Sequence, residues 1–309
     1  MKKDVTVIIP TWKPGKELTL LLQRLKRQTV RPQRILIINT DETSFREELV
    51  EDWSGISMLH IEKRMFDHAG TRDMAARMSA SPYLLFMTMD ALPADTHLIE
   101  NLLDAFRDEH TAVAYARQLP KKNAGICERH VRAFNYPDRS FLQREEDIPQ
   151  RGIRTYFCSN VCAMYRKDVY LELGGFRAPA IFNEDMVFAA EAVSNGWQIA
   201  YRADARVYHS HNYSARKQLK RNFDLGVSQK MHPEIFEAVP AEGTGMRMIR
   251  EVAGKLAGEG HFAGIAALIW QSAWKYAGYL AGKHYQQLPP FVIRALTMNP
   301  EFWDTYQGK

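Results

Sequence analysis

The chain has 309 residues, of which 46% are hydrophobic and 25% charged, and its formal net charge is +5. This size and composition suit one large domain, or one domain with a helical appendage, and they exclude a disordered or fibrous protein. The chain enters an apolar stretch at Val5 without the apolar segment and cleavage site of a secretory leader. A cytoplasmic protein is therefore expected, and no nucleic-acid partner is predicted.

Three cysteines, Cys127, Cys158 and Cys162, are too few and too unevenly spaced for a structural zinc site. The spacing of the last two lacks the second pair of ligands that such a site requires. We predict reduced, mostly buried thiols.

Extended and helical patterns alternate through the first two hundred residues, which predicts a layered α/β fold with a mostly parallel sheet. Residues 5–9 form the first predicted strand, and residues 35–38 form a short strand that is apolar enough to be buried. Between them lies a helix that begins near Pro14 and Gly15. Its apolar face is formed by Leu18, Leu21, Leu22 and Leu25.

Another helix is predicted to start near Gly70 and Thr71 and to direct Met74, Ala75 and Met78 inward. The strand at 83–87 follows it and ends at Asp90. A further helix and a strand at 111–115 come next, and the apolar face of that helix consists of Ile99, Leu102, Leu103 and Phe106.

Residues 117–154 lose periodicity and collect charges and prolines, which predicts a loop-rich insert. Such an insert can contact an acceptor or can be a long surface excursion, and both interpretations stay open. A strand at 161–165, a helix at 184–194 and a strand at 199–208 complete the predicted catalytic domain, residues 1–214. Residues 215–309 are predicted to form a C-terminal helical extension.

Asp90 lies directly after a buried strand, where rigid backbone can hold a carboxylate against a cation that binds phosphate oxygens. By itself this acid could equally cap a helix or stabilise a turn. His209 and His211 stand two residues apart in an extended segment and therefore point to the same side. We predict that Asp90 and His211 bind Mg²⁺ or Mn²⁺, with His209 a weaker candidate.

Glu184 and Asp185 fall in the first turn of a predicted helix, where the helix dipole favours ionised carboxylates. An ionised acid at this position can accept a proton from an attacking hydroxyl. The alternative is that both acids merely complement the helix dipole.

The order of these motifs resembles the inverting nucleotide-sugar glycosyltransferases of family 2, and the likeness spans roughly residues 4–215. The strand at 5–11 resembles the opening strand of the family, and Asp90 resembles the last acid of its metal-binding Asp-x-Asp. Gly174, Gly175 and Phe176 resemble its acceptor-side turn, and the pair at 184–185 its catalytic Glu-Asp. The resemblance implies a Rossmann-like nucleotide-diphospho-sugar transferase fold, with Asp185 as catalytic base.

Three segments, 68–72, 88–95 and 208–214, look like the rhamnosyltransferase subgroup, whose usual donor is dTDP-L-rhamnose. The resemblance implies a saccharide or lipid-linked saccharide acceptor. It also assigns residues to two binding regions: Pro10, Thr11, Asn39, Asp41, His68, Gly70, Arg72, Met89 and Asp90 to the nucleotide sugar, and Ser159, Asn160, Gly175 and Phe176 to the acceptor.

The sequence departs from the family pattern at three positions. Thr88 replaces the first acid of Asp-x-Asp, so the metal has one protein ligand fewer and His211 or water fills the gap. Asn39 stands where an acid often contacts the pyrimidine, and Asp73 stands where asparagine commonly follows the arginine. Metal dependence and base preference therefore stay open.

Three alternatives also stay open. The first is a family 2 transferase that uses another UDP- or dTDP-sugar. The second is a sugar nucleotidyltransferase, although the sequence after the first strand lacks the glycine-rich loop and basic residue of those enzymes. The third is a module that binds nucleotide sugars without turnover, against which the intact Asp90, Glu184 and Asp185 argue.

An anionic membrane surface is a further expected partner. Arg216, Lys217, Lys220 and Arg221 fall on one face of a predicted helix and could contact lipid headgroups, although a solvated helix face is an equal alternative. Residues 262–280 contain Gln271, Ser272 and Lys275 and are not predicted to span a membrane. The aromatic residues of this region are expected to pack in the core: Trp270, Trp274, Tyr276 and Tyr279.

Overall fold

The computed structural model describes residues 4–50, 54–239 and 243–306. Its strands are β1 (Val5–Trp12), β2 (Arg34–Thr40), β3 (Ile56–Ile61), β4 (Tyr83–Met87), β5 (Leu92–Pro93), β6 (Thr111–Leu119), β7 (Phe141–Gln143), β8 (Cys162–Arg166) and β9 (Gln198–Tyr208). They form one mixed sheet in the order β3-β2-β1-β4-β8-β6-β9-β5, and β7 also pairs with β9.

Helices connect and cover these strands. The helices that precede β9 in the chain are α1 (Lys16–Lys26), α2 (His68–Met78), α3 (Leu98–Asp104), α4 (Ile126–Asn135), α5 (Ile148–Arg151), α6 (Lys167–Glu172) and α7 (Glu184–Ser194). The C-terminal helices are α8 (Ala215–Met231), α9 (Pro233–Phe236), α10 (Thr244–Gly258), α11 (Phe262–Lys283), α12 (Pro290–Leu296) and α13 (Phe302–Thr305).

Both faces of the sheet are buried, so alternate strand residues enter two separate cores. Val7 and Ile9 of β1 pack in the core that contains the leucines of α1 and α3, while Ile8 packs in the core of α2 and α7. Burial on both faces explains why β2 and β4 are continuous apolar runs rather than alternating ones. These two cores hold the ends of the strands rigidly in place.

Strands β1, β2 and β4 run parallel, so their carboxyl ends meet at one edge of the sheet. Trp12, Thr40 and the residues after Met87 all lie there. In open α/β sheets this edge is where ligands bind.

The insert is more ordered than predicted. Strand β6 continues to Leu119 and pairs with β9, and residues 117–154 contain the helix α4 and the strand β7. The side-chain amide of Gln143 donates to the carbonyls of Thr155 and Phe157, at 2.7 and 2.9 Å, which ties this strand to the following turn. Helix α4 presents its apolar face to the C-terminal helices rather than to the sheet.

The C-terminal helices are built around a close contact of α8 with α11. A Cβ atom on Gly278 would lie 2.1 Å from the carbonyl oxygen of Leu219, and one on Gly282 would lie 2.1 Å from that of Phe223. Only glycine allows the two backbones to approach so closely, and the pairing shows that the helices run in the same direction. No helix among the described residues combines the length and apolar character needed to span a bilayer.

The fold confirms some of the predictions made from the sequence and contradicts others. The α/β fold with a helical C-terminal region is confirmed, and the three cysteines are free and buried. Helix α2 begins at His68, two residues earlier than predicted, and its Met78 is exposed rather than inward. Trp270 and Tyr276 are 60% and 63% exposed, so the prediction that they pack in the core is wrong. The division at residues 214 and 215 stays a prediction.

Candidate active site

A cavity of about 550 Å³ opens at the edge of the sheet where β1, β2 and β4 end. Its wall combines these strand ends with the start of α2, residues 180–182, part of α8 and residues 298–302. Another cavity, of about 660 Å³, lies near Arg144 and Trp197 at the amino-terminal end of β9, away from the predicted acids. The first cavity is therefore the candidate active site.

Asp90 lies on the cavity wall, and two histidines from the segment after β9 lie beside its carboxylate. Its carboxylate oxygens lie 3.6 Å from Nε2 of His209 and 3.5 Å from Nε2 of His211. The candidate ligand atoms of the three residues all lie within 4.8 Å of one another. Lys121 places its Nζ 3.3 Å from the same carboxylate. Burial alone would raise the pKa of Asp90, but its basic neighbours outweigh burial and hold the pKa below its usual value.

The hydrogen bond made by Nδ1 of His209 determines the protonation of Nε2, the ring nitrogen that faces Asp90. Its Nδ1 lies 2.9 Å from Oε1 of Gln118, an oxygen that also accepts a hydrogen bond from Arg132. Since this oxygen can only accept, Nδ1 must donate, and in the neutral ring Nε2 then offers a lone pair. Burial lowers the pKa of His209, which keeps the ring neutral at neutral pH.

The lone pair of His209 and the Asp90 carboxylate are therefore two acceptors that face each other. A cation between them resolves this arrangement, and one carboxylate with two imidazoles suits a divalent transition-metal ion, a class that includes Mn²⁺. The donor set of the cluster thus fits a metal ion.

Glu184 and Asp185 begin α7 and are held by one residue, Asn160. The Asn160 backbone N–H donates to Oδ2 of Asp185 at 2.9 Å, and its side-chain amide donates to Oε1 of Glu184 at 3.0 Å. Tyr165 in turn donates to the Asn160 side-chain oxygen at 2.8 Å. The other oxygen of Asp185 accepts from the N–H of Met186 at 2.9 Å. These contacts fix the direction of both acids.

The environment of Asp185 favours the function of a proton acceptor. Burial, and then the charge of Glu184, raise the pKa of Asp185 to about 7. A carboxylate with a pKa near the working pH holds a proton more strongly than an ordinary aspartate yet is still ionised in a useful fraction of molecules. The structure therefore supplies the chemistry that a general base requires.

Arg72 connects the two acid sites. Its guanidinium lines the cavity that Asp90 also lines, and its Nη1 lies 3.3 Å from Oε1 of Glu184. Both side chains of this ion pair are only 7% exposed. Neither Glu184 nor Asp185 lines the cavity itself, so Arg72 is the link between the cavity and the acid pair. The cavity and the adjoining acid pair are together named the cleft.

The comparison with known proteins identifies the family. A family model described as Glycosyl transferase family 2 matches residues 6–174. The chain is 36% identical over 305 residues to the O-antigen chain rhamnosyltransferase RfbN of Salmonella typhimurium, covering 98% of this chain and 97% of RfbN. It is 34% identical over 305 residues to the O-antigen chain rhamnosyltransferase WbaN of Salmonella anatum, covering 98% of this chain and 96% of WbaN. The chain belongs to glycosyl transferase family 2. It is a glycosyltransferase, and its predicted resemblance to the rhamnosyltransferases is confirmed.

A solved structure supports the fold of this family 2 transferase. The mannosyltransferase PcManGT from Pyrobaculum calidifontis, in complex with GDP-Man and Mn²⁺, superposes with a TM-score of 0.60 over 90% of this chain and 86% of that chain. The sequence identity is 13%, so the likeness establishes the fold alone. The predicted nucleotide-diphospho-sugar transferase fold is confirmed.

Most residues predicted to bind the nucleotide sugar lie on or just behind the cavity wall. The wall includes Pro10, Thr11, His68, Arg72, Met89 and Asp90. Gly70 lies in the first turn of α2, where an added Cβ would be 2.9 Å from the carboxylate of Asp67. Their contacts with a donor stay predictions.

Asn39 and Asp41 take supporting positions. Asn39 is fully buried, accepts a hydrogen bond from Thr11 at 2.9 Å and donates to the carbonyl of Asp41 at 3.1 Å. Asp41 adopts a left-handed backbone with φ of 70° and accepts from Thr43. Neither is on the cavity wall, and their predicted place in the lining of the base and ribose pocket stays a prediction.

The acceptor predictions divide into two groups. Ser159 and Asn160 lie beside the acid pair, and Ser159 accepts a hydrogen bond from Gln118 at 2.9 Å. Phe176 is 4% exposed and packs against the rings of Phe86, Tyr165, Tyr170 and Phe188, so its ring lies in the core. Its contact with the acceptor stays a prediction. Gly175 has a φ of +80°, and an added Cβ would lie 2.1 Å from Asp73, so its requirement for glycine is structural.

Three contributors to the site are not predicted from the sequence. Lys121 follows β6 in the insert and gave no periodic signal. Arg221 was assigned to the lipid-facing stripe, but it lines the cavity, with its guanidinium 4.6 Å from the ring centre of Phe182. The third is residues 298–302, which nothing in the sequence placed beside the catalytic domain.

Proposed function

We propose that this protein is an inverting rhamnosyltransferase that transfers L-rhamnose from dTDP-L-rhamnose to a hydroxyl group of a lipid-linked precursor of a cell-surface polysaccharide. Its relatives over nearly the full length are O-antigen chain rhamnosyltransferases, which supports the sugar and the type of acceptor. The observation that supports the reaction is the position of Arg72, which lines the cavity with Asp90 and forms an ion pair with Glu184.

The donor diphosphate lies at the Asp90 end of the cleft. Asp90, His209 and His211 would hold Mg²⁺ or Mn²⁺, and the ion would supply positive charge beside the leaving diphosphate. Arg221 adds a fixed positive charge to the same wall, and none of the described carboxylates forms an ion pair with it. A guanidinium without a carboxylate partner is suited to contact a phosphate group.

Asp185 acts at the other end of the cleft. Its carboxylate takes the proton of the acceptor hydroxyl while that oxygen forms a bond to the anomeric carbon of the sugar. The bond from this carbon to the phosphate oxygen breaks, and its electron pair leaves with the nucleoside diphosphate. Because attack and departure occur on opposite faces, the anomeric configuration inverts in one displacement. Asn160 and Glu184 orient the base and do not form a covalent bond with the sugar.

The proposal is tested by incubating the full chain with dTDP-L-rhamnose, Mn²⁺ and a synthetic polyprenyl-diphosphate-linked saccharide. We expect a rhamnosylated lipid whose glycosidic bond, measured by nuclear magnetic resonance, has the anomeric configuration opposite to that of the donor. A parallel panel with UDP-sugars and GDP-mannose identifies another donor. Retention of configuration, or release of pyrophosphate from a nucleoside triphosphate in place of transfer, would contradict the proposal.

The rate should depend on pH through Asp185. Because the pKa of this base is raised to about 7, it is protonated and inactive below that value. We expect kcat/KM to increase with pH and to level off above about 7. Glu184→Gln removes a charge that raises this pKa, so the ascending limb should move to lower pH. An ascending limb that stays in place in this variant would argue against Asp185 as the titrating base.

Membrane attachment needs a different surface from the predicted basic stripe, because Arg221 faces the cavity and Lys220 donates to the carbonyl of Thr297. The exposed face of α11 is a better candidate. Its exposed side chains are apolar or aromatic, and they include Phe262, Ile269, Trp270, Tyr276 and Leu280. Residues 260–300 contain no aspartate or glutamate, so anionic headgroups meet no repulsion from this segment. We infer that this face rests on an anionic bilayer, with Trp270 and Tyr276 at the level of the headgroups.

The attachment is tested with the double variant Trp270→Ser and Tyr276→Ser. We expect binding to vesicles of phosphatidylglycerol and phosphatidylethanolamine to fall by about tenfold or more, because each aromatic ring buries a large area in the interface. The matched control is Leu171→Ser, which removes an exposed apolar side chain on α6. Equal co-sedimentation of the double variant and the wild type would show that this face of α11 does not bind the membrane. Self-association of the wild type that the double variant abolishes would also contradict the inference, because the face would then be a contact between two copies of the chain.

A further inference from the structure

Residues 298–302 close one side of the donor cavity, although they lie almost at the end of the chain. Met298, Asn299, Pro300 and Glu301 line it together with Trp12 and Thr40 from the ends of β1 and β2. The segment has no regular secondary structure before α13. Its position must therefore come from side-chain contacts.

The first of these contacts is made by Asp224 of α8. This carboxylate is 1% exposed and accepts hydrogen bonds from Oγ1 of Thr297 at 2.6 Å, from the N–H of Met298 at 2.9 Å and from the side chain of Asn299 at 3.2 Å. The Thr297 hydroxyl also accepts from the N–H of Asn299 at 2.9 Å. Burial of a carboxylate is unfavourable unless donors compensate it, and here all of the donors come from one short segment. Asp224 thus fixes the backbone of residues 297–299.

The second contact is at the other end of the segment. Glu301 forms an ion pair with Lys63, whose ammonium lies 5.4 Å from the ring centre of Trp12. Phe302 is 6% exposed and packs in the cluster of Phe223 and Tyr285. The segment therefore spans from α8 to the loop after β3 and is held at both ends.

The position of the segment along the sheet indicates which part of the donor it meets. The phosphate-binding candidates follow β4, while Trp12 and Thr40 end β1 and β2, the next two strands. Neighbouring strands lie roughly 4.8 Å apart, so β2 is about 10 Å from β4 along this edge. A nucleoside diphosphate with its phosphates at Asp90 would extend its base and ribose toward β2. Trp12, which is 49% exposed, offers an aromatic surface there.

We propose that residues 298–301 form, with Trp12 and Lys63, the second wall of the nucleoside subsite, and that Asp224 is the positioning residue that holds them there. The proposal rests on the proposed function in taking a nucleoside diphosphate as the ligand, but it does not depend on the sugar transferred. The base is recognised between the strand ends and the C-terminal segment, so the C-terminal helices take part in donor selection.

The test separates the nucleoside end from the phosphate end by calorimetric titration of the full chain with Mn²⁺ and dTDP, UDP or GDP, and with Mn²⁺ and pyrophosphate. We expect Asp224→Asn and Glu301→Gln each to weaken binding of the preferred nucleoside diphosphate by about tenfold, the effect of a lost or misplaced polar contact. Pyrophosphate affinity should change less than twofold. The donor KM should rise more than kcat falls.

Asp304→Asn is the matched control, because Asp304 lies on α13 and pairs with the exposed Arg294 outside the cavity. Circular dichroism and the melting temperature establish folding, and Glu301→Gln, which alters a partly exposed ion pair, keeps the test valid if Asp224→Asn does not fold. Equal losses for the nucleotide and for pyrophosphate, or no loss in either variant, would overturn the proposal. A wild type that prefers GDP would change the proposed donor and leave the test of this wall intact.

Discussion

Asp185→Asn is expected to lower kcat by about two to four orders of magnitude, the usual contribution of a positioned general base. Asparagine keeps the shape of the side chain, and its oxygen can still accept from the N–H of Asn160 or of Met186. What it loses is the ability to take the proton of the acceptor hydroxyl. The affinity for dTDP with Mn²⁺ should stay within about twofold of the wild type, because the diphosphate lies at the other end of the cleft. Single-turnover transfer and calorimetric binding measure the two quantities separately.

Asp168→Asn provides the matched control for this prediction. Asp168 also lies in the first turn of a helix, α6, and its Oδ1 accepts a hydrogen bond from the N–H of the next residue at 2.8 Å, as Asp185 does. It is exposed and away from the cleft. If the two acids only complemented their helix dipoles, both variants would show the same small loss of stability and neither would lose activity. Near-normal turnover of a folded Asp185→Asn variant would exclude the assigned base.

The parts of the fold that the sequence predicted are those in which burial imposes a pattern. Strands β1, β2 and β4 are buried on both faces, so their apolar runs stand out, and the leucines of α1 repeat with the period of a helix packed on a sheet. The acids at 90 and 184–185 followed from their places at the ends of such elements. The contact of Arg72 with Glu184 required the three-dimensional structure, because it joins α2 to a helix more than one hundred residues away.

The C-terminal region was harder to interpret because its exposed and buried faces do not follow the usual rule. On α8, Arg221 points into the cavity and Asp224 is buried beneath residues 297–299, so charged side chains mark the inner face. On α11, glycines make the packed face and aromatic residues the exposed one. A hydrophobicity pattern therefore assigns the buried and exposed faces of α8 and α11 wrongly. On α11 close backbone packing takes the place of an apolar core, and on α8 charged side chains of the site do so.

Phe176 illustrates what the order of motifs cannot predict. Its turn resembles an acceptor-side motif, yet the glycines before it serve to place its ring inside a cluster of aromatic side chains. Motif order located the segment correctly, but it could not tell whether a given side chain faces the cleft or the core. That distinction depends on the direction of the Cα–Cβ bond of Phe176. Its ring packs against Phe86 of β4 and Tyr165 of β8.

Asp90→Asn is expected to reduce kcat/KM on the order of a hundredfold or more, because a metal ion at a phosphate contributes several kcal/mol to the transition state. The variant keeps the size of the side chain and loses the charged ligand, so His209 and His211 alone should hold Mn²⁺ more weakly. Manganese titration followed by electron paramagnetic resonance, with dTDP present, measures that loss independently of turnover.

Asp95→Asn is the matched control for this variant, because Asp95 lies five residues further along the same segment and pairs with Arg206 rather than with the histidines. It should bind Mn²⁺ and turn over like the wild type. His209→Ala should weaken Mn²⁺ by about 10- to 100-fold if the Nε2 lone pair is a ligand. Undiminished Mn²⁺ affinity in both Asp90→Asn and His209→Ala would mean that the donor diphosphate, rather than this cluster, holds the ion, and the role of Asp90 would then be limited to orienting Lys121.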